Sequence, residues 1–132
     1  MVFWIGETRG GTLDKQSFPS QSGALESREL IFKMFSHVVI FWTDPANPKA
    51  ADELIAGAEK YLKPIPGVLH YHIGKMVPSH RPVVDQSYQV ALNLVFPDKK
   101  AQDDYQVHPM HVEFVEKVFK PIMKRVVVYD LE

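Results

Sequence analysis

Toward the C-terminus, the stretch DYQVHPMHVEF gathers the side chains best suited to chemistry: Tyr105, His108 and His111. At about 100° per residue in a helix, Phe114, Val115 and Val118 flank His111 on both sides, so its ring sits near the middle of an apolar face. An imidazole in that place is either a hydrogen-bonded core histidine or part of a cavity wall. Pro109 lacks a backbone donor and pushes His108 out of the helical region, so a new helical segment starts here. His111 then lies in its first turn, where the helix dipole disfavours imidazolium and leaves a neutral ring suited to general-base chemistry. Tyr105 either offers a hydroxyl to a ligand or plugs the helix end against a sheet, and the proline break leaves its distance from His111 open. His108, at the cap position, reads first as the residue that fixes the kink, with ligand contact as the alternative.

Three other histidines need weighing. His37 alternates with Phe35, Val39 and Phe41, so it faces a cavity or bonds to a buried acceptor. His70 and His72 form an HxH pair on one strand face, a spacing that can present two metal ligands. No carboxylate or third histidine stands at a telling distance, so a polar rim is expected there and no metal site. His80, beside Arg81-Pro82, has no evident partner.

The elements that must position these residues follow from periodicity. Phe35 to Trp42 (FSHVVIFW) is β-branched and aromatic and ends at the turn Thr43-Asp44-Pro45, which makes it strand one. Asn47-Pro48 supplies an N-cap and a first helical residue, and Leu54, Ala58, Tyr61 and Leu62 recur at helical spacing until Lys63-Pro64. After Ile65-Pro66-Gly67, strand two is expected over Val68–Val77, and strand three over Ser87–Phe96. Pro97-Asp98 opens helix two. Beyond the break at Pro109, Met110, Val112, Phe114, Val115, Val118 and Phe119 form one broad apolar face. Pro121 is expected to end the helix, and Val126–Tyr129 to form the last strand.

The order βαββαβ implies an α+β fold: a ferredoxin-like four-stranded antiparallel sheet with both helices on one face. Strand one is nevertheless apolar on both sides, with Val38, Ile40 and Trp42 opposite Phe35, Val39 and Phe41. Val126 to Tyr129 repeat the pattern. A face left bare by the helices should read polar, so a second copy is expected to pack sheet against sheet as a two-fold homodimer. Trp42 is expected at that interface or at the end of the resulting barrel.

Composition narrows the function. With 132 residues, 45% of them apolar, the chain falls near the size of one domain. The 15 basic and 16 acidic residues are spread evenly, which leaves no electrostatic footprint for nucleic acid or an anionic membrane. Without cysteine there are no disulfides, thiolate metal sites or cysteine nucleophiles. MVFWIG is too short for a signal core and runs into polar residues, so a cytoplasmic protein is expected. Residues 1–33, rich in Gly, Ser and Pro, read as an extension with a short helical turn over 25–32. Residues 34–132 read as the domain.

SHVVIFW, IPGV with HIGK, the DYQVHPMHVEF block and the closing VVVYD together resemble the stress-responsive dimeric α/β-barrel (Dabb) family. The resemblance covers the whole of 34–132, and the DYxxHPxHxxF block is its most specific element. It implies a dimeric α/β barrel with a cavity between sheet and helices, a small apolar or aromatic ligand, and no cofactor. Because the family includes plant polyketide cyclases, it carries the role of base onto His111 and of hydroxyl donor to a substrate carbonyl onto Tyr105. His37 would point into the cavity beside them. The first reading is a ligand-binding Dabb protein of unsettled activity. The alternatives are a cofactor-free cyclase-like lyase or isomerase and, from the wider group of dimeric α/β barrels, a cofactor-independent monooxygenase.

Overall fold

In the computed structural model, which describes residues 33–132, burial alternates along β1 (Phe35–Thr43): Phe35, His37, Val39, Phe41 and Thr43 are buried, and the residues between them only partly so. The helical turn expected over 25–32 lies outside the described residues. Strand β1 is central, because the sheet order is β2-β3-β1-β4 with every pairing antiparallel. Strand β2 runs His70–Lys75, β3 Val90–Phe96 and β4 Met123–Leu131. On β3 the residues Val90, Leu92, Leu94 and Phe96 point to the helices and are almost fully buried.

Helix α1 (Ala50–Tyr61) begins two residues later than the Asn47-Pro48 signal implies. Its N-cap is Lys49, which makes no side-chain cap bond. Asn47 instead closes the turn that leads in, its side-chain oxygen accepting the Lys49 N–H at 3.0 Å and its carbonyl the Ala50 N–H at 3.1 Å. Leu54, Ala58 and Leu62 form its buried face. The following turn needs Gly67, whose φ of 92° lies where a side chain is disfavoured.

Helix α2 (Lys99–Val107) starts where Asp98 accepts the Ala101 N–H at 2.8 Å. It stops at His108, whose ψ of 138° breaks the helix before Pro109 as the sequence requires. Helix α3 (Pro109–Phe114) then passes into a π-helical turn, Val115–Phe119, and a last short turn, α4 (Lys120–Ile122).

Several sequence expectations need correction. Strand two is shorter than Val68–Val77, and strand three starts at Val90 instead of Ser87: Ser79 and Gln86 close the loop between the strands, and Ser87 bonds back to Asp85. Pro121 does not end the helix. It lies inside the last turn, which the wider π turn before it accommodates by bonding the Lys120 N–H to the Val115 carbonyl. Strand four begins three residues earlier than expected, at Met123. Val112 is half exposed and does not join the buried face of α3.

The side of the sheet away from the helices carries Val38, Ile40 and Trp42 of β1 beside Val95 and Ala91 of β3 and Val127 and Tyr129 of β4. Trp42 donates its indole N–H to Ser87 Oγ at 3.1 Å, and the Arg125 guanidinium lies 4.3 Å from its ring centre. Among the described residues no helix is long and apolar enough to cross a membrane.

The corrected face of α3 is open to a simple test. Phe114→Ala should lower unfolding stability by about 3 kcal/mol, whereas Val112→Ala should stay within about 0.5 kcal/mol. Urea titration of both variants distinguishes this from the sequence reading, in which both residues are buried.

Candidate functional site

A row of side chains on the helix-facing side of the sheet sets the floor of the site. In the β1–β4 register His37 stands opposite Asp130, and on its other side, in β3, opposite Leu94. His37 Nδ1 lies 2.5 Å from Asp130 Oδ1, with the histidine side chain almost fully buried and the carboxylate partly exposed. A carboxylate only accepts, so Nδ1 carries the proton of this bond and the ring is held in one orientation, with Nε2 as its other edge.

Tyr105, on the last turn of α2, comes down over this row and is 1% exposed. Its ring is edge-on to three others: His37 at 6.1 Å, Phe96 at 5.2 Å and His111 at 4.9 Å between centroids. The Pro109 break makes this possible. It turns the chain between the two residues, so the end of α2 and the first turn of α3 deliver Tyr105 and His111 to one place.

Burial dominates the electrostatics. It pushes the Tyr105 hydroxyl well above the ordinary phenol range, with a smaller contribution from nearby Tyr71, so this group is a neutral donor. Burial also lowers the pKa of His111, His37 adds to the effect, and the Gln106 backbone carbonyl opposes it. The pair is thus a neutral phenol against a neutral imidazole.

His37, Tyr105 and His111 all line one cavity of about 530 Å3 between the sheet and the helical segment of α2 and α3. Its walls are mostly apolar, with Phe41, Leu92, Phe114 and Phe119 among them, and it opens toward β4, where Val126 and Val128 remain 38% and 47% exposed. The polar rim includes Lys99 and Asp103, which pair at 2.9 Å. This volume is typical of sites for small molecules.

His108 is not in the cavity wall. Its Nδ1 accepts the Met110 N–H at 3.1 Å, so it caps α3 at the break. His70 and His72 pair with Val95 and Asn93, on the side of the sheet away from the cavity. Among the described residues no three His, Asp or Glu side chains are grouped to hold a metal. His80 is exposed in the β2–β3 loop. Asp130 is the residue that sequence reasoning missed. Its alternation with Val126 and Val128 was visible, but placing it on His37 requires the β1–β4 register.

The family model described as the Stress responsive A/B Barrel Domain matches residues 35–132, and the chain belongs to this family. A Dabb family protein with a ferredoxin-like fold from Mesorhizobium loti superposes with a TM-score of 0.61 at 26% identity, over 75% of this chain and 95% of that one. A dimeric protein of unknown function and ferredoxin-like fold from Bacteroides fragilis gives 0.62 at 18% identity, over 76% and 96%. The hydroxynitrile lyase of Passiflora edulis gives 0.60 at 18% identity, over 75% and 92%. At 18% identity the last two show the shared fold alone. No curated protein matches the chain.

The His111 ring should titrate below the ordinary histidine value of 6.5. As pH falls through that value the unfolded chain takes up a proton that the folded site still refuses. This group's contribution to stability is therefore full above 6.5 and is lost on acidification, until the folded ring itself protonates. NMR titration of the ring protons checks it, and a midpoint at or above 6.5 contradicts the argument.

Proposed function

We propose that this Dabb-family chain works as a homodimer whose cavity binds a small, largely apolar or aromatic ligand, with residues 34–132 as the working unit and 1–33 as an appendage. The carrying observation is the cavity itself: apolar walls enclose space beside two polar side chains, Tyr105 and His111, that keep hydrogen-bonding capacity at its surface. A wall of this kind gains from excluding water from an apolar ligand body, while the phenol and imidazole orient one polar group of the ligand.

The dimer is supported by the apolar side of the sheet that the described helices leave uncovered. Tyr129 is 60% exposed there, and Val38, Ile40 and Val127 surround it. At about 25 cal/mol per Å2, covering such a surface with its own copy is favourable by several kcal/mol. The Bacteroides fragilis protein of the same fold is dimeric. Ile40→Asp places a charge at the centre of this face and should convert the dimer to a folded monomer in light scattering at micromolar concentration. A wild-type chain that is already monomeric there would contradict the proposal.

Ligand binding is tested at the open side of the cavity. Val128→Trp fills the space beside β4 without entering the closed core, and it should abolish binding of acetophenone as followed by amide shifts of Phe41 and Phe114. Binding that persists unchanged in this variant places the ligand elsewhere.

A second reading is favoured by the 4.9 Å approach of the Tyr105 and His111 rings. In a cofactor-free lyase, cyclase or isomerase, neutral His111 takes a proton from the carbon next to a substrate carbonyl. Tyr105 donates a hydrogen bond to the carbonyl oxygen as negative charge develops on it, and the proton returns from His111 to the product. His37, held by Asp130, lines the same cavity. His111→Ala and Tyr105→Phe should each slow turnover of a β-polyketone by about 10²-fold or more while the dimer stays folded. Equal rates in wild type and variants leave binding without catalysis.

A further inference from the structure

The cavity wall is held in place by a contact that lies outside the cavity. Gly57, on the buried face of α1, meets Val118 of the π-helical turn so closely that a β-carbon built on the glycine would lie 2.5 and 2.7 Å from the two Val118 methyls and 3.1 Å from its Cβ. Rotating the valine does not relieve this. It is branched at Cβ, both methyls are already in the way, and the branch point itself is close. Only a hydrogen at position 57 lets the two elements approach so far.

The same π turn supplies the wall. Val115 and Phe119 line the cavity while Val118 faces α1. Phe119 is edge-on to Phe41 of β1 at 6.2 Å, so the turn is held between the sheet on one side and α1 on the other. Its extra residue follows from Pro121, which offers no N–H to the preceding turn. Because α1 connects β1 to β2 and the second helical layer connects β3 to β4, any push from Gly57 drives the turn away from α1, toward the open side at Val126 and Val128.

We infer that the Gly57–Val118 contact is a specificity device: by seating the π turn against α1, it keeps the gap between Phe119 and β4 wide enough for a bulky ligand. This rests on the ligand-binding reading above. Gly57 is a positioning residue, acting on the ligand only through Val118, Val115 and Phe119.

The test compares wild type, Gly57→Ala, Val118→Ala and the double variant, using acetophenone, 2-acetylnaphthalene and 2-acetylanthracene as probes of increasing size. Gly57→Ala should weaken binding of the largest probe at least fivefold relative to the smallest. The double variant should bring the ratio back within twofold of wild type, which loss of stability alone would not do. Val118→Ala by itself should shift the ratio toward the larger probe, so the inference remains decidable if Gly57→Ala does not fold. An unchanged ratio in the single variants, or no recovery in the double one, overturns it. Ring-current shifts of Phe41 and Phe119 decide the position of the wall without any ligand: they should move in a single variant and return in the double. If wild type binds none of the three probes, the ligand reading fails, and unmoved ring-current shifts would separately dispose of the Gly57 device.

Discussion

Proline at position 109 is the constraint on which the site depends. Its ring excludes helical geometry at His108, and its missing N–H interrupts the backbone ladder, so one helical layer must be built from two segments. The interruption is stabilised locally, since His108 accepts the Met110 N–H with its side chain and the Val112 N–H with its carbonyl. A straight helix would hold Tyr105 and His111 at a fixed angle and rise. The broken one lets the end of α2 and the start of α3 turn both rings to the same place, 4.9 Å apart over the sheet.

The sheet beneath has a division of labour that comes from β1 lying between two neighbours. One set of alternating side chains, from Phe35 to Thr43, is covered by the helices; the other, with Val38, Ile40 and Trp42, is not. The covered side is itself divided. Under α1 it is packed solid by Leu54, Ala58 and the β3 row, whereas under α2 and α3 the packing stops short of β4 and leaves the cavity. The edge strand therefore contributes Val126, Val128 and Asp130 as wall rather than as core.

Polar groups inside such a wall are costly unless they are paired, and the three at this site meet that cost differently. His37 is paired with Asp130, which fixes its orientation. Burial favours the uncharged forms of Tyr105 and His111, and the Gln106 backbone carbonyl accepts a hydrogen bond from His111. Such a pair can act on a carbonyl compound without a metal being required for the step, and it can equally serve as a polar anchor for an apolar ligand.

Much of this was legible in the chain itself, because it depends on neighbours in sequence. The β-branched run of β1, the turn at Asn47, the Asp98 cap, the glycine after Pro66 and the break at Pro109 are set by dihedral preferences and local hydrogen bonds. The two apolar sets of β1 are visible as plain alternation. What depended on distant partners was not legible. Strand three begins three residues later than alternation implies because Ser87 is tied to Asp85 within the loop. Pro121 reads as a helix end in the sequence, because the π turn that accommodates it packs against α1, far away in the chain. Val112 reads as buried in the sequence because helical spacing gives a face but not its width. Asp130 reached His37, and Gly57 reached Val118, only through a strand register and a helix crossing that join residues 93 and 61 positions apart. Sequence by itself determined the elements and the side chains gathered around Pro109. Tertiary structure alone decided which groups share a cavity, because side-chain packing and sheet register are settled between segments that have no local means of knowing one another.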